Sequence, residues 1–195
     1  MKRIILGLQV LGLILVGQAF AGATRTTNTL YVDQMTYMVK EVERDGSLIW
    51  WYGGTGILNQ PSDAERLPGG TLTLICDTNN NRVIEVSPDG STFTVFYNPV
   101  VYPNPVDAER KGTLTLIAFQ CGVVGVATGS TSVLDWYISS PNPVDVEWLA
   151  NGNILVANNT SVQEICYQGP TSPLVNIGGL NSVRDIEWLS NGHIL

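Results

Sequence analysis

The chain has 195 residues, of which 44% are hydrophobic and 14% are charged, so it is long enough and apolar enough for one domain with a packed core. Ten basic and 17 acidic residues give a formal net charge of -7. Such a chain repels a phosphate backbone, which argues against nucleic acid as a partner, whereas bound cations are compatible with its charge.

Residues 1–23 have the pattern of an export signal. Lys2 and Arg3 precede an apolar run from residue 4 to residue 16, and small residues between 19 and 23 offer two cleavage sites. The run is short for a membrane span, and no other stretch is apolar enough for one. We therefore expect a signal peptide at 1–23, with an uncleaved anchor as the alternative. The expected location is secreted or periplasmic, without an integral membrane domain.

From residue 29 onward, short runs of strand-forming residues alternate with turns. The first unit has predicted strands at 29–33, 38–42 and 47–52. The Asp-Gly pair at 45–46 is typical of a β-hairpin, because glycine takes the positive φ that the turn requires. The second unit has one strand more, and its four predicted strands are at 62–67, 71–76, 82–86 and 91–97.

One repeated segment marks the units. It reads Asn-Pro-Val-Asp-Val-Glu-Trp-Leu-Ala-Asn-Gly-Asn-Ile-Leu-Val from Asn142, and related copies begin at Gln60, Asn104 and Asn181. The aspartates of the four copies follow one another at steps of 44, 38 and 40 residues; they are Asp63, Asp107, Asp145 and Asp185. A period of about 40 residues with four short strands in each unit is typical of a β-propeller blade.

The sequence therefore predicts an all-β fold, a β-propeller of about four repeats that is incomplete or open. The alternative is a closed four-bladed ring, in which residues 185–189 supply the first strand that is missing beside residues 29–33. The third unit is expected to be irregular, because it has no equivalent of the polar turn at 77–82. The mature chain, 24–195, divides into units at approximately 24–60, 61–104, 105–142, 143–180 and 181–195, the last of which is partial.

Two segments resemble NHL-type β-propeller repeats. They are Asn-Pro-Val-Asp-Ala-Glu-Arg at 104–110 and Gly-Thr-Leu-Thr-Leu-Ile-Cys-Asp-Thr-Asn-Asn-Asn-Arg-Val-Ile-Glu-Val at 70–86. They are also similar to the repeats of bacterial arylsulfotransferase-like and PQQ-like propellers. The resemblance covers about residues 24–195 and implies the fold, but a fold does not carry an activity with it.

The expected function is that of an exported, non-catalytic module that binds a protein, a glycan or another ligand. One alternative is a propeller enzyme similar to arylsulfotransferases, lyases or lactonases. Another is a truncated fragment of a larger propeller. Catalysis is disfavoured because histidines are nearly absent: His193 is the single one, and it stands where Asn153 stands one unit earlier, so it looks like a turn residue. One histidine cannot build a histidine-rich zinc site.

The four aspartates are the candidate metal ligands. If the first strand of each blade lines the central channel, Asp63, Asp107, Asp145 and Asp185 lie at one level around the axis. The glutamates two residues further on share their strand face; they are Glu65, Glu109, Glu147 and Glu187. Converging carboxylates repel one another unless a cation lies among them, and Ca²⁺ prefers oxygen ligands. In the alternative, each aspartate accepts hydrogen bonds from turn amides and organises its own blade.

Trp148 and Trp188 occupy equivalent positions in first strands and are the candidate binding residues. An aromatic surface of this kind can bind a sugar or a peptide, whereas packing between blades is the alternative role. Asp77 and Arg82 are expected to form an ion pair across one turn. The three cysteines, interpreted as buried small apolar residues rather than as one disulfide and an odd thiol, are Cys76, Cys121 and Cys166.

Overall fold

The computed structural model describes residues 3–5, 28–129, 134–169, 172–189 and 191–195, and for residues 3–5, 134 and 135 it describes the backbone alone. The described residues form strands and one short 3-10 turn at Thr78–Asn80, and they contain no α-helix. The strands are β1 (Arg3–Ile5), β2 (Thr29–Asp33), β3 (Met38–Val42), β4 (Leu48–Gly53), β5 (Asp63–Arg66), β6 (Thr73–Asp77), β7 (Arg82–Val86), β8 (Thr92–Tyr97), β9 (Asp107–Lys111), β10 (Leu114–Phe119), β11 (Gly122–Ala127), β12 (Leu134–Ser139), β13 (Pro143–Trp148), β14 (Ile154–Asn158), β15 (Ser161–Ile165) and β16 (Val175–Ile177).

The strands form four sheets of four strands each, in the orders β1-β2-β3-β4, β5-β6-β7-β8, β9-β10-β11-β12 and β13-β14-β15-β16. Strands that follow one another in the chain are hydrogen-bonded neighbours, and the second, third and fourth sheets are antiparallel meanders. The predicted four-stranded blades are confirmed, and the first sheet gains its fourth strand from β1, which lies outside the predicted first unit.

The third sheet is complete, although its sequence lacks the polar turn of the second. Gln120 and Cys121 alone connect β10 to β11, and the next residue, Gly122, has a φ of +157°. A Cβ atom at Gly122 would lie 2.1 Å from the carbonyl oxygen of Ile138 in β12. Glycine therefore lets the neighbouring strand approach closely enough for the tighter turn to be accommodated.

The first sheet differs from the others at its inner edge. β1 pairs with β2 in parallel, whereas β5, β9 and β13 each pair antiparallel with the strand that follows. Residues 185–189 do not form the predicted strand beside β2. Trp188 instead forms an antiparallel bridge with Ile194, and Leu195 N–H donates to the Glu187 carbonyl at 2.9 Å. The closed-ring alternative, in which this segment completes the first blade, is therefore wrong, because β1 occupies that edge of β2 and residues 187–195 pair with one another as the beginning of a fifth unit.

Apolar layers between successive sheets hold the blades together. The layer between the first two sheets contains, among others, Leu30, Val39 and Ile75, and the layer between the second and third contains Phe96 and Phe119. Further layers join the third sheet to the fourth and the fourth sheet to the fifth unit. Each fully buried side chain of this size contributes about 1.5–3 kcal/mol. Because a single four-stranded blade cannot bury both of its faces, the fold depends on this stacking.

The predicted signal peptide lies outside the described residues except for β1, and it stays a prediction. In the part of the chain that the structure describes, no helix is long and apolar enough to cross a membrane. None of the three cysteines forms a disulfide. Cys76 is buried, as interpreted, and Cys166 is partly buried. Cys121 is exposed because it lies in the turn between β10 and β11, so the buried interpretation is wrong for it.

Candidate functional site

The repeated aspartates connect each blade to the next one. Asp107 Oδ2 accepts a hydrogen bond from the backbone N–H of Val146 at 2.9 Å, and Asp145 Oδ2 accepts one from Ile186 at 2.8 Å. Asp63 Oδ2 accepts the equivalent N–H, that of Ala108, at 3.3 Å. In each case the donor is the residue that follows the aspartate of the next unit. These hydrogen bonds come from the next blade, whereas the alternative expected donors in a turn of the same blade.

The glutamates two residues after these aspartates also accept hydrogen bonds from backbone N–H groups of the next unit. Glu65 Oε2 accepts the N–H of Arg110 at 3.0 Å, and Glu147 Oε2 accepts that of Trp188 at 2.7 Å. Glu109 accepts the N–H of Trp148. Hydrogen bonds from an amide to a charged acceptor are stronger than neutral ones. We call this arrangement, two carboxylates of one first strand on two amides of the next, the inter-blade clamp.

The first strands surround one cavity of about 250 Å³. Among the described side chains, six carboxylates of four first-strand segments border it, and Arg66 is the one basic side chain in its lining. Arg66 also forms an ion pair with Glu41 and lies over the ring of Trp50, 4.7 Å from its centroid, so a carboxylate outside the cavity balances its charge. The lining residues are Leu30, Ala64, Glu65, Arg66, Glu109, Asp145, Glu147, Asp185, Ile186, Glu187 and Trp188.

The four predicted metal ligands are not placed alike. Asp63 and Asp107 are each 2% exposed and do not border the cavity, whereas Asp145, 4% exposed, and Asp185 do. Within the described ranges, no three His, Cys, Asp or Glu side chains form a group that could hold a metal ion. The clamp turns one oxygen of each of the first three aspartates toward a backbone amide of the next unit, Asp145 included. Calcium binding stays a prediction.

Trp148 and Trp188 have equivalent sequence positions but different surroundings. The Trp148 ring packs edge-on against the Tyr167 ring, with 4.9 Å between their centroids. Lys111 Nζ lies 5.0 Å from the centroid of the Trp148 ring. Its position between the third and fourth sheets makes it a packing residue. Trp188 is 36% exposed and borders the cavity. Of the two predicted binding residues, Trp188 is thus the one that a ligand can reach from the cavity.

Three other residues that the sequence analysis singled out lie at turns in the structure. His193 is exposed, its N–H donates to Asn191 Oδ1 at 3.0 Å, and its carbonyl accepts the N–H of Leu189 at 2.8 Å. Asp77 and Arg82 form the expected ion pair at 2.7 Å across the turn from β6 to β7, but the Asp77 side chain is fully buried. Burial makes this pair more important to the fold than an exposed pair.

Sequence reasoning missed the buried ion pairs between blades. Arg110 Nη2 contacts Glu85 Oε1 at 2.6 Å, and Arg66 contacts Glu41. Each arginine directly follows an Asp-x-Glu, and each glutamate lies 25 residues earlier, in the third strand of the preceding sheet. This constant spacing is the signal that would have found both pairs.

Solved structures match this architecture, although known sequences do not. No family model and no curated protein sequence matches the chain. Among solved structures, a protein of unknown function from Bacteroides caccae matches with a TM-score of 0.65 and 16% identity, over 85% of this chain and 68% of that one. A streptogramin B lyase matches with a TM-score of 0.69 and 10% identity, over 88% and 59%. A virginiamycin B lyase from Staphylococcus aureus matches with a TM-score of 0.66 and 8% identity, over 89% and 60%.

These structures have β-propeller-like folds, and at such identities the likeness concerns the fold alone. The chain is an open β-propeller. It spans about 60% of the length of the two lyase structures. The propeller of this chain thus has four complete sheets, the beginning of a fifth unit and an acid-lined central cavity.

Proposed function

We propose that the protein is an exported, non-catalytic propeller module of the NHL type whose central cavity binds a ligand that carries a cationic group. The observation that carries this proposal is the convergence of six carboxylates from four first-strand segments on one cavity. The net charge of -7 adds a field that attracts cations toward it. Export rests on the leader-like sequence at residues 1–23.

The size of the cavity restricts what it holds. Pockets for drug-sized ligands have volumes of about 300–1,000 Å³, and this one has about 250 Å³. A single ammonium or guanidinium group, presented by a peptide or an amino sugar, fits this space. Trp188 on the cavity wall adds an aromatic surface with which such a cation interacts favourably.

Calorimetric titration of the full chain with argininamide tests the proposal. The matched control is citrullinamide, which has nearly the same shape but no charge. We expect argininamide to bind and citrullinamide not to bind, and we expect the affinity for argininamide to fall as salt is raised. Equal affinity for the two compounds, or no heat with either, would contradict the proposal.

A variant pair locates the binding. Glu109→Gln removes one cavity charge while its side-chain oxygen can still accept the N–H of Trp148. It should weaken argininamide binding severalfold. Glu43→Gln removes an exposed charge elsewhere and should leave binding unchanged. Equal effects of the two substitutions would place the binding outside the cavity.

Calcium is the second ligand to be titrated, because the predicted aspartate site remains a proposal. If Asp145 and Asp185 take part in holding Ca²⁺ at the cavity, calcium chloride gives heat and raises the melting temperature, and Asp145→Asn reduces both effects. Absence of heat and of a thermal shift would reject the calcium site and leave the organic-cation proposal standing.

Lyase structures among the comparisons are the ground for the enzyme alternative that is tested here. One of them is a catalytically inactive histidine-to-alanine variant of the S. aureus virginiamycin B lyase with quinupristin. His193, the single histidine of this chain, is exposed in a turn and does not border the cavity. We therefore expect quinupristin to keep its chromatographic retention after incubation with the protein. A change in retention that His193→Ala abolishes would favour the enzyme.

A further inference from the structure

The turn between β14 and β15 contains two overlapping acceptor sequences for N-linked glycans. It reads Asn-Asn-Thr-Ser from residue 158 to residue 161, so Thr160 stands two residues after Asn158 and Ser161 two residues after Asn159. An asparagine followed by any residue except proline and then by serine or threonine is the acceptor sequence of N-glycosylation, and it typically marks a surface loop of an exported protein. No other asparagine of the chain stands in such a sequence.

Asn158 is a structural residue of this turn. Its Oδ1 accepts the N–H groups of Thr160 and Ser161 at 3.0 and 2.9 Å. It also accepts the hydroxyl of Thr160 at 3.2 Å. Bonds from an asparagine side chain to the amides that follow it close a turn. Asn158 is 9% exposed, so the folded blade leaves no room for a sugar on its side-chain nitrogen.

Asn159 is exposed in the same turn. β14 ends at Asn158 and β15 begins at Ser161, so Asn159 and Thr160 alone form the hairpin loop, and both are exposed. The loop lies at the end of two strands, where connections run over the surface, and not on a face that a neighbouring sheet covers. The backbone carbonyl of Asn159 accepts the N–H of Val183 at 3.2 Å. A bulky substituent on the side-chain nitrogen leaves this bond and the turn intact.

We propose that Asn159, and not Asn158, carries an N-linked oligosaccharide in the folded protein. The proposal rests on the export that is part of the proposed function, and it does not depend on the cavity ligand. The donor is an oligosaccharide linked to a lipid through a diphosphate. Asn159 Nδ2 forms a bond to C1 of the first sugar, and the bond from C1 to the phosphate oxygen breaks. The lipid diphosphate leaves, and one amide proton passes to a base of the transferase.

Secretion of the full chain, with its own leader, from eukaryotic cells that glycosylate exported proteins tests the proposal. We expect the secreted chain to migrate more slowly in gel electrophoresis than the unmodified chain. Treatment with peptide N-glycosidase should abolish the difference. Because this enzyme converts the modified asparagine to aspartate, peptide mass spectrometry should find aspartate at position 159 and asparagine at position 158.

Two single substitutions separate the acceptor sequences. Thr160→Ala disrupts that of Asn158 and keeps Asn159 with Ser161, so the secreted chain should still carry the glycan. Ser161→Ala disrupts that of Asn159 and keeps Asn158 with Thr160, so the secreted chain that circular dichroism shows to be folded should carry none. A secreted wild-type chain without glycan, a folded chain with a glycan on Asn158, or loss of the glycan in Thr160→Ala would each overturn the proposal.

A chain that remains inside the cell would contradict the predicted export rather than the choice of asparagine. The same chain with residues 1–23 replaced by the leader of a secreted protein then tests Asn159 itself, with the same three contradicting outcomes. Argininamide titration of the secreted chain tests the cavity separately, so a failure at one site is not mistaken for a failure at the other.

Discussion

At the scale of single residues, the blade entrances share one strained backbone conformation. Gln60, Asn104, Asn142 and Ser182 have left-handed backbones, with φ of 49°, 54°, 48° and 60°. Each lies three residues before the aspartate of its unit, and in three of the four a proline follows. In the last copy the position falls on Ser182 rather than on Asn181, because Arg184 adds one residue before Asp185. The chain reversal into each first strand therefore needs this conformation whatever the residue.

Substitution of Asn142 tests this requirement. Asparagine tolerates the left-handed region, whereas a β-branched residue does not. We expect Asn142→Val to lower the free energy of unfolding by about 1–2 kcal/mol. Asn142→Gly should leave it unchanged or raise it slightly. Urea unfolding measures both, and equal stability of the two variants would contradict the expectation.

Asp33 is the titrating residue with the largest resolved shift. Its carboxylate accepts a hydrogen bond from Lys40 Nζ at 2.7 Å and two more from the N–H groups of Met35 and Thr36 at 3.2 Å. The Lys40 hydrogen bond is the main cause that lowers the pKa of Asp33 from 3.8 to about 2. Because the folded-state pKa lies below the unfolded one, the stabilisation is present above pH 3.8 and is lost as the pH falls toward 2.

Lys40→Met removes the main cause of this shift. The stability of the variant should therefore fall less steeply than that of the wild type as the pH decreases from 3.8 toward 2. Urea unfolding at a series of pH values measures the slope. Lys111→Met serves as the control, since Lys111 donates to a backbone carbonyl rather than to a carboxylate. Parallel slopes for wild type and Lys40→Met would show that Lys40 does not set the pKa.

At the scale of elements, the junction between two blades combines charge with packing. Arg110 lies between Glu85 of the preceding sheet and Thr115 of its own, and the side chains of Arg110 and Glu85 are 8% and 12% exposed. In the fourth sheet the residue after Asp-x-Glu is Trp148, and the position equivalent to Glu85 in the third sheet is Gly125. The chain thus has a polar and an aromatic version of the same junction.

Removing one partner of the polar junction should be costly. Arg110→Met leaves Glu85 buried without its cation, and we expect a loss of about 3–5 kcal/mol. Glu85→Met in the same chain should recover most of that loss, because the unpaired charge is then gone. A double-mutant cycle by urea unfolding gives both values. If the double variant is as unstable as Arg110→Met, the loss comes from packing rather than from charge.

The third blade offers a second test at this scale, at two glycines of β11. Gly122→Ala places a methyl group against the Ile138 carbonyl oxygen, so we expect a loss of about 3 kcal/mol or an incompletely folded third blade. At Gly125 the nearest atoms to an added Cβ are 3.6 Å away, which is ordinary contact. Gly125→Ala should therefore be nearly neutral. Thermal unfolding of the two variants side by side shows whether close approach, rather than loss of glycine, causes the effect.

At the scale of the whole molecule, stability should decrease from the fourth sheet toward residues 185–195. β14 is buried at all five of its positions, whereas most described residues between 185 and 195 are exposed. In a stack of units, each unit is stabilised mainly by its neighbours. We expect hydrogen exchange to be slowest in the amides of β14 and fast in residues 185–195. Mass spectrometry of peptic fragments measures this, and equal protection of the two segments would mean that the fifth unit is covered in solution.

The sequence predicted the blades well because the Asp-x-Glu period and the hairpin turns are local signals. It did not reveal what the carboxylates bind, since the amides that Asp107 and Glu109 hold lie 39 residues further along the chain. It also favoured similar roles for Trp148 and Trp188, although one is enclosed between two sheets and the other has no complete sheet on its far side. Equivalent positions in a repeat have equal surroundings only when both neighbours are present.

The inter-blade clamp has a consequence for how such chains change in length. The accepting carboxylates and the donated amides lie in the same short strand, so β9 and β13 each carry both halves of the connection. A duplicated unit of about 40 residues would therefore contain carboxylates that accept from the blade after it and backbone amides that donate to the blade before it. Gain or loss of a whole blade by in-frame recombination needs no compensating substitution at the junction, and blade number can vary among descendants of one gene.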